Sequence, residues 1–130
     1  MQKRIISTPN VAESASPLSH AVAFGSLLFV SGQVAVDPTG KTVEGGFEAQ
    51  ARQVMENIKA ILEETGSSLD CVLKVTAFLS NMDDFPKFNE IYGTYFPKDF
   101  PARSCFQVGR LGPGFLVEVE AIAYIPDADE

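Results

Sequence analysis

Between residues 47 and 62, Phe47, Ala51, Val54, Met55, Ile58, Ile61 and Leu62 recur at three- and four-residue spacing. That period places them on one stripe of an α-helix, and Gly66 stands where a left-handed C-terminal cap belongs. A helix with one apolar stripe has to bury it against another element. Residues 72–79 supply that element: they are apolar and largely β-branched except at Lys74 and Thr76, which share a face with Phe78 under the two-residue period of a strand. A central strand with one wet or functional face is predicted.

The remaining elements follow from the same two periods. Residues 3–6 read as a short edge strand, and residues 7–17, with two prolines and four serines or threonines, as a loop. Residues 20–24 and 27–31 around Gly25-Ser26 form a β-hairpin, and Asp37-Pro38-Thr39-Gly40 marks a turn within a connection over 34–46. Asp83 or Asp84 can cap a second helix carrying Phe85, Phe88, Ile91, Tyr92, Tyr95 and Phe96, ended by Pro97, with the aromatic stripe facing the core. Strands over 102–108 and 116–125 are joined by Gly109-Arg110-Leu111-Gly112-Pro113-Gly114, which reads as a turn because no helix follows it to make a phosphate loop. Residues 126–130 form an acidic tail expected to fray.

This order predicts one α+β domain over residues 1–130, a mixed sheet with two helices on one face. At 130 residues the chain buries roughly two-thirds of its unfolded surface around one core. The second sheet face has no helix to cover it, and self-association is the simplest way to bury it.

Charge and residue counts remove several chemistries. Ten Lys and Arg against seventeen Asp and Glu give a net charge of -7, which repels phosphate backbones and anionic lipid. His20 is the single histidine, and no CxxC, HxxxH or HExxH spacing is present, so no metal site is expected. No GxSxG elbow presents a serine nucleophile. His20 is expected beside the hairpin with a hydrogen-bonded ring, and Lys74 as a paired charge on its strand. Met1-Gln2-Lys3-Arg4 is followed by only two apolar residues before Ser7, so no signal peptide is expected; Cys71 and Cys105 are read as reduced thiols in a cytoplasmic protein, without a membrane span.

Alternation puts Arg103, Cys105 and Gln107 on one face of their strand and Glu118 and Glu120 on one face of the next. If those strands pair, a guanidinium, a thiol and two carboxylates converge. Two readings then compete: an Arg–Glu ion pair on a solvated sheet, or a carboxylate anchor beside an acid that orients water.

Pro101-Ala102-Arg103-Ser104-Cys105 and Val117-Glu118-Val119-Glu120-Ala121-Ile122-Ala123 together resemble the signature of the RidA/YjgF family of reactive-intermediate deaminases. Phe29-Val30-Ser31-Gly32-Gln33, Gln50-Ala51-Arg52-Gln53, Leu73-Lys74-Val75-Thr76 and Asn89-Glu90-Ile91-Tyr92 extend the resemblance over nearly the whole chain. It implies a chorismate-mutase-like fold assembled as a trimeric barrel, with three sites in clefts between subunits. It also implies cofactor-independent hydrolysis of 2-imino and enamine acids to 2-keto acids and ammonia, of the 2-iminobutanoate/2-iminopropanoate deaminase type.

By position, the resemblance assigns Arg103 to the substrate carboxylate, the backbone at Cys105 to the imine nitrogen and Glu118 to the attacking water. Glu120 reads as structural. Ser31 and Gly32 would line the pocket, with Asn89 helping to shape it; a hairpin-end hydroxyl and a helix-surface amide are the plainer alternatives for Ser31 and Asn89. One position departs from the family: its usual Gly-Pro-Tyr-Ser loop is Ser16-Pro17-Leu18-Ser19 here, which exchanges a phenol for an apolar wall. The expectation is a preference for larger or more apolar imino acids. Two other functions stay open, a non-catalytic small-carboxylate-binding or regulatory protein and the endoribonuclease or translation-inhibitor activity also ascribed to the family. The charge balance and the single histidine argue against nucleic acid.

Overall fold

The computed structural model describes residues 2–127. Its elements are β1 (Arg4–Ile6), β2 (Ala21–Phe24), β3 (Leu27–Gln33), α1 (Phe47–Glu64), β4 (Val72–Leu79), α2 (Phe85–Tyr95), β5 (Ala102–Gln107) and β6 (Val117–Tyr124), with single 3₁₀ turns at Leu69–Cys71 and Met82–Asp84. They form one six-stranded sheet in the order β1-β2-β3-β6-β4-β5. The β4–β5 pair is parallel and the other pairs are antiparallel, so the sheet is mixed.

Two crossovers explain why both helices lie on one face. From β3 the chain passes through α1 to β4, leaving a gap that β6 later fills, and from β4 it passes through α2 to the adjacent β5. Both advance in the same direction across the sheet, and right-handed connections then put both helices on the same side. Under them lie Leu28, Val30, Val75, Ala77, Val117, Val119 and Ala121, packed against Val54, Met55, Ile58, Ile61, Phe88 and Ile91.

The first helix ends as its sequence predicts. Gly66 has φ 82°, its N–H donates to the Glu63 carbonyl, and Ser67 N–H donates to the Leu62 carbonyl, the two bonds of a Schellman motif. The second helix begins differently: neither Asp83 nor Asp84 caps it through a side chain. Asn81 Oδ1 instead accepts from Asp83 N–H at 2.8 Å and opens the 3₁₀ turn that leads into it. The aromatic stripe is core, with Phe88, Tyr92 and Phe96 in ring contact.

The other sheet face carries Phe24, Leu27, Phe29, Phe106 and Tyr124, all exposed. Of the expected frayed tail, Pro126 and Asp127 have no regular structure and residues 128–130 lie outside the described residues. No helix among the described residues is long and apolar enough to cross a membrane.

Candidate active site

The β3–β6 ladder is regular from Leu27 to Val30 and then shifts register before Gln33. This bulge re-aims Ser31 and Gly32 at the rim of the sheet. The Ser31 hydroxyl donates to the Ser19 carbonyl at 2.6 Å and its amide to the His20 carbonyl at 3.0 Å, which ties the end of the 7–20 loop to β3. Gly32 faces the carboxylate of Glu118. A cleft of about 280 Å³ opens here, with Val11, Ala12 and Leu18 on one wall and Gly32, Val36 and Glu118 on the other.

Burial in this cleft pushes the Glu118 carboxyl above its ordinary value, and the Glu120 charge on the same face raises it further. A carboxylate so placed is a stronger base than an exposed one and can hold and deprotonate a water.

Arg103 lies elsewhere. Its guanidinium carbon sits 5.6, 5.7 and 4.8 Å from the ring centroids of Phe85, Phe88 and Tyr92, a cation–π nest built by the aromatic stripe of α2. Each of the ion pairs among the described residues joins Arg52 or Lys87 to Glu48 or Glu90. Thus the rings hold the Arg103 guanidinium while its donors remain available to an incoming anion. Asn89 is exposed one turn beyond Phe85 on the stripe that continues to Tyr92. Cys105 follows Arg103 on the same strand face; both cysteines are free, and burial pushes the Cys105 thiol up despite the nearby Arg103 charge.

The expected convergence of Arg103, Cys105, Glu118 and Glu120 on one sheet face therefore fails. β5 pairs with β4, not with β6. The register sets Arg103 beside Val75, on the helix-covered face, and Glu118 beside Phe78, on the open face. The cause is the helix before β5: a β–α–β unit pairs its strands in parallel, and the glycine-rich segment then crosses the end of β4, where Val108 N–H donates to the Leu79 carbonyl and Ser80 N–H to the Leu116 carbonyl. That segment is a crossing connection and not a turn between neighbours, and no Arg103–Glu118 ion pair forms. Lys74 is not a paired charge either; its ammonium donates to the Val75 carbonyl and to Thr76 Oγ1, both at 3.1 Å.

Three of the buried polar residues outside the sequence-predicted set fix the cleft or the segments around it. Gln50 donates to the Val43 and Gly114 carbonyls at 3.1 and 2.7 Å and accepts from Leu116 N–H at 2.8 Å, fixing the crossing connection against α1. Asn57 donates to the Val36 carbonyl at 2.9 Å and lines the cleft. Their signal is legible in hindsight: two amides sit seven residues apart in the stripe that also holds Val54 and Ile61. The third is His20, whose ring is buried.

Residues 8–125 match the family described as Endoribonuclease L-PSP. The mouse 2-iminobutanoate/2-iminopropanoate deaminase is 41% identical over 122 residues, covering 93% of this chain and 90% of its own. The chain belongs to the RidA/YjgF family. Another relative, a RutC family protein of Pyrococcus horikoshii, is 49% identical over 123 residues, covering 94% of this chain and 98% of its own. Among solved structures, a Rid protein family member from Yersinia pestis superposes with TM-score 0.92 at 40% identity, covering 95% of this chain and 100% of that one. E. coli TdcF with bound serine superposes with TM-score 0.89 at 37% identity, covering 95% and 99%. The two helices on a mixed sheet are thus the RidA/YjgF arrangement.

Proposed function

We propose that the chain hydrolyses 2-imino acids, and their enamine tautomers, to 2-keto acids and ammonia without a cofactor. The observation that carries this reading is the Arg103 guanidinium, held over three aromatic rings and joined to no carboxylate among the described residues. Its planar fork matches a carboxylate in two parallel hydrogen bonds. The mouse relative's name and the serine bound to E. coli TdcF support a small amino-acid-derived ligand.

With the substrate carboxylate on Arg103 and the imine nitrogen at the Cys105 backbone, a water held by Glu118 attacks the C=N carbon. Glu118 takes a proton from that water and gives it to the nitrogen, leaving a carbinolamine; it then takes the hydroxyl proton and passes it to the amine, so that the C–N bond breaks, ammonia leaves and the C=O of the 2-keto acid forms. No thiol nucleophile is needed. Arg103 and Glu118 lie on opposite faces of one sheet with β4 between them, so we assign the two halves of each site to different copies of the chain, in a homotrimer whose barrel buries the exposed aromatic face. Leu18, on the cleft wall opposite Gly32 and Glu118, gives the substrate side chain an apolar contact and favours larger 2-imino acids.

An amino-acid oxidase that generates 2-imino acids in place, with a nucleophilic trap competing for them, tests the reaction. Wild type should lower trapping at substoichiometric concentration, and Arg103→Ala should not. Stoichiometric 2-keto acid binding without turnover would replace this reading with that of a carboxylate-binding protein.

A further inference from the structure

We infer that His20 is a positioning residue that sets the side-chain preference of the cleft by clipping its outer wall in place. The inference rests on the reading of the cleft given above and extends it to a residue at the edge of the cleft that takes no part in the proposed chemistry.

The His20 ring is 6% exposed and both its nitrogens are engaged. Thr8 N–H donates to Nδ1 at 3.1 Å, and Nε2 lies 3.1 Å from the Ala12 carbonyl. A backbone amide can only donate, so Nδ1 carries the lone pair, and the hydrogen of the neutral ring sits on Nε2 and donates to Ala12. One side chain thereby fastens two points of the preceding loop, twelve and eight residues upstream.

The other hydrogen bonds of this loop are local: Asn10 N–H to Thr8 Oγ1 at 3.2 Å, Ser16 N–H to Ser14 Oγ at 3.1 Å and Leu18 N–H to the Ser16 carbonyl at 2.8 Å. They shape turns without anchoring them. At the other end, Ser31 fixes Ser19 and His20 to β3 through the two bonds already described. The loop is therefore pinned at its start and middle by the His20 ring and at its end by Ser31, and between those pins Val11, Ala12 and Leu18 form the wall facing Glu118. Without the ring, Thr8 N–H and the Ala12 carbonyl lose their partners; Val11 stays seated in the core, and the largely exposed stretch from Ala12 to Leu18 is free to move from the carboxylate. Its effect should fall on ligands long enough to reach Leu18 and spare the smallest.

The test compares wild type, His20→Ala, His20→Gln and His20→Asn in the assembled protein, by hydrogen exchange over residues 8–16 and by the dissociation constants of two 2-keto acids, one three-carbon and one with a branched apolar side chain. The amide of Gln can still donate to Ala12, and the carbonyl of Asn can still accept from Thr8, so each keeps one clip if the alanine variant fails to fold. We expect faster exchange in this segment in His20→Ala. The affinity ratio favouring the branched ligand should fall about tenfold there, the scale of a few apolar contacts in a pocket, with partial recovery in Gln or Asn. In a Leu18→Ala background the same His20 substitution should change the ratio less than about twofold, because the two act through one wall. An unchanged ratio, an equal loss for both ligands, or no side-chain preference in wild type would overturn the inference. Turnover of the 2-imino acid, measured alongside, reports separately on the deaminase reading.

Discussion

A side chain on Gly32 would collide with Glu118: a Cβ there would meet Oε2 and lie 3.0 Å from Cδ. The backbone at Gly32 has no left-handed requirement, so the glycine serves close approach alone. The clash is with the far end of a flexible side chain and is relieved by swinging the carboxylate away. Gly32→Ala should therefore shift the melting temperature by only a few degrees while lowering kcat about a hundredfold, the scale of an ångström's misplacement of a catalytic group. Unchanged kcat with a folded protein would remove Glu118 from the reaction.

Glu118 must be ionised to accept a proton, and burial raises its pKa first, with Glu120 second. The acid limb of kcat should accordingly lie above the ordinary glutamate range. Removing the neighbouring charge with Glu120→Gln should move that limb to lower pH, and Glu118→Gln should abolish it together with most of the rate. For stability the sign is the reverse. A carboxyl whose pKa is raised by folding stabilises the fold while protonated, a contribution complete below its unfolded pKa and lost as pH rises through the raised value. Glu118→Gln should be more stable than wild type at neutral pH and equal to it in acid, as thermal melts at the two pH values would report.

Burial holds the pKa of the Cys105 thiol up, and the proposed reaction gives that thiol no nucleophilic role. Cys105→Ser should keep kcat/KM within about threefold, because the proposed contact comes from the backbone, and iodoacetamide should alkylate the native thiol more slowly than a free cysteine. Loss of turnover in the serine variant, with affinity for the 2-keto acid retained, would contradict that assignment.

The hydroxyl of Tyr92 is buried with no hydrogen-bond partner among the described residues, and burial raises its pKa to about 12 against the lowering effect of Arg103. An unpaired buried hydroxyl costs about 1–3 kcal/mol. Tyr92→Phe should thus leave denaturant stability equal or higher while keeping the ring under Arg103. A clear destabilisation would mean that the hydroxyl has a partner in the assembled protein.

Local periodicity made both helices and the wet face of β4 legible. The stripe from Phe47 to Leu62 and the Gly66 cap are properties of neighbouring residues, and they appear as read. The placement of β5 and β6 was not legible in that way: alternation shows which residues share a face of one strand, but the partner of that strand depends on the path of the chain. Arg103 and Glu118 each stand on the strand face that alternation gives them, yet a strand intervenes and the faces are opposite. Long-range polar roles were hidden for a related reason. Gln50 acts on Gly114 and Leu116, 64 and 66 residues away, and His20 on two points of the loop before it, and nothing beside either residue marks those partners.

The separation of Arg103 from Glu118 makes the central claim testable by complementation. Arg103→Ala and Glu118→Ala homo-oligomers should each be inactive, and the two chains should be unfolded together in equal amounts, refolded and assayed for 2-imino acid clearance. If each cleft takes its arginine from one chain and its glutamate from the next, random mixing rebuilds an intact pair in about a quarter of the clefts and recovers about a quarter of the wild-type activity. No recovery at any mixing ratio, with mixed oligomers verified by mass, would contradict the shared site.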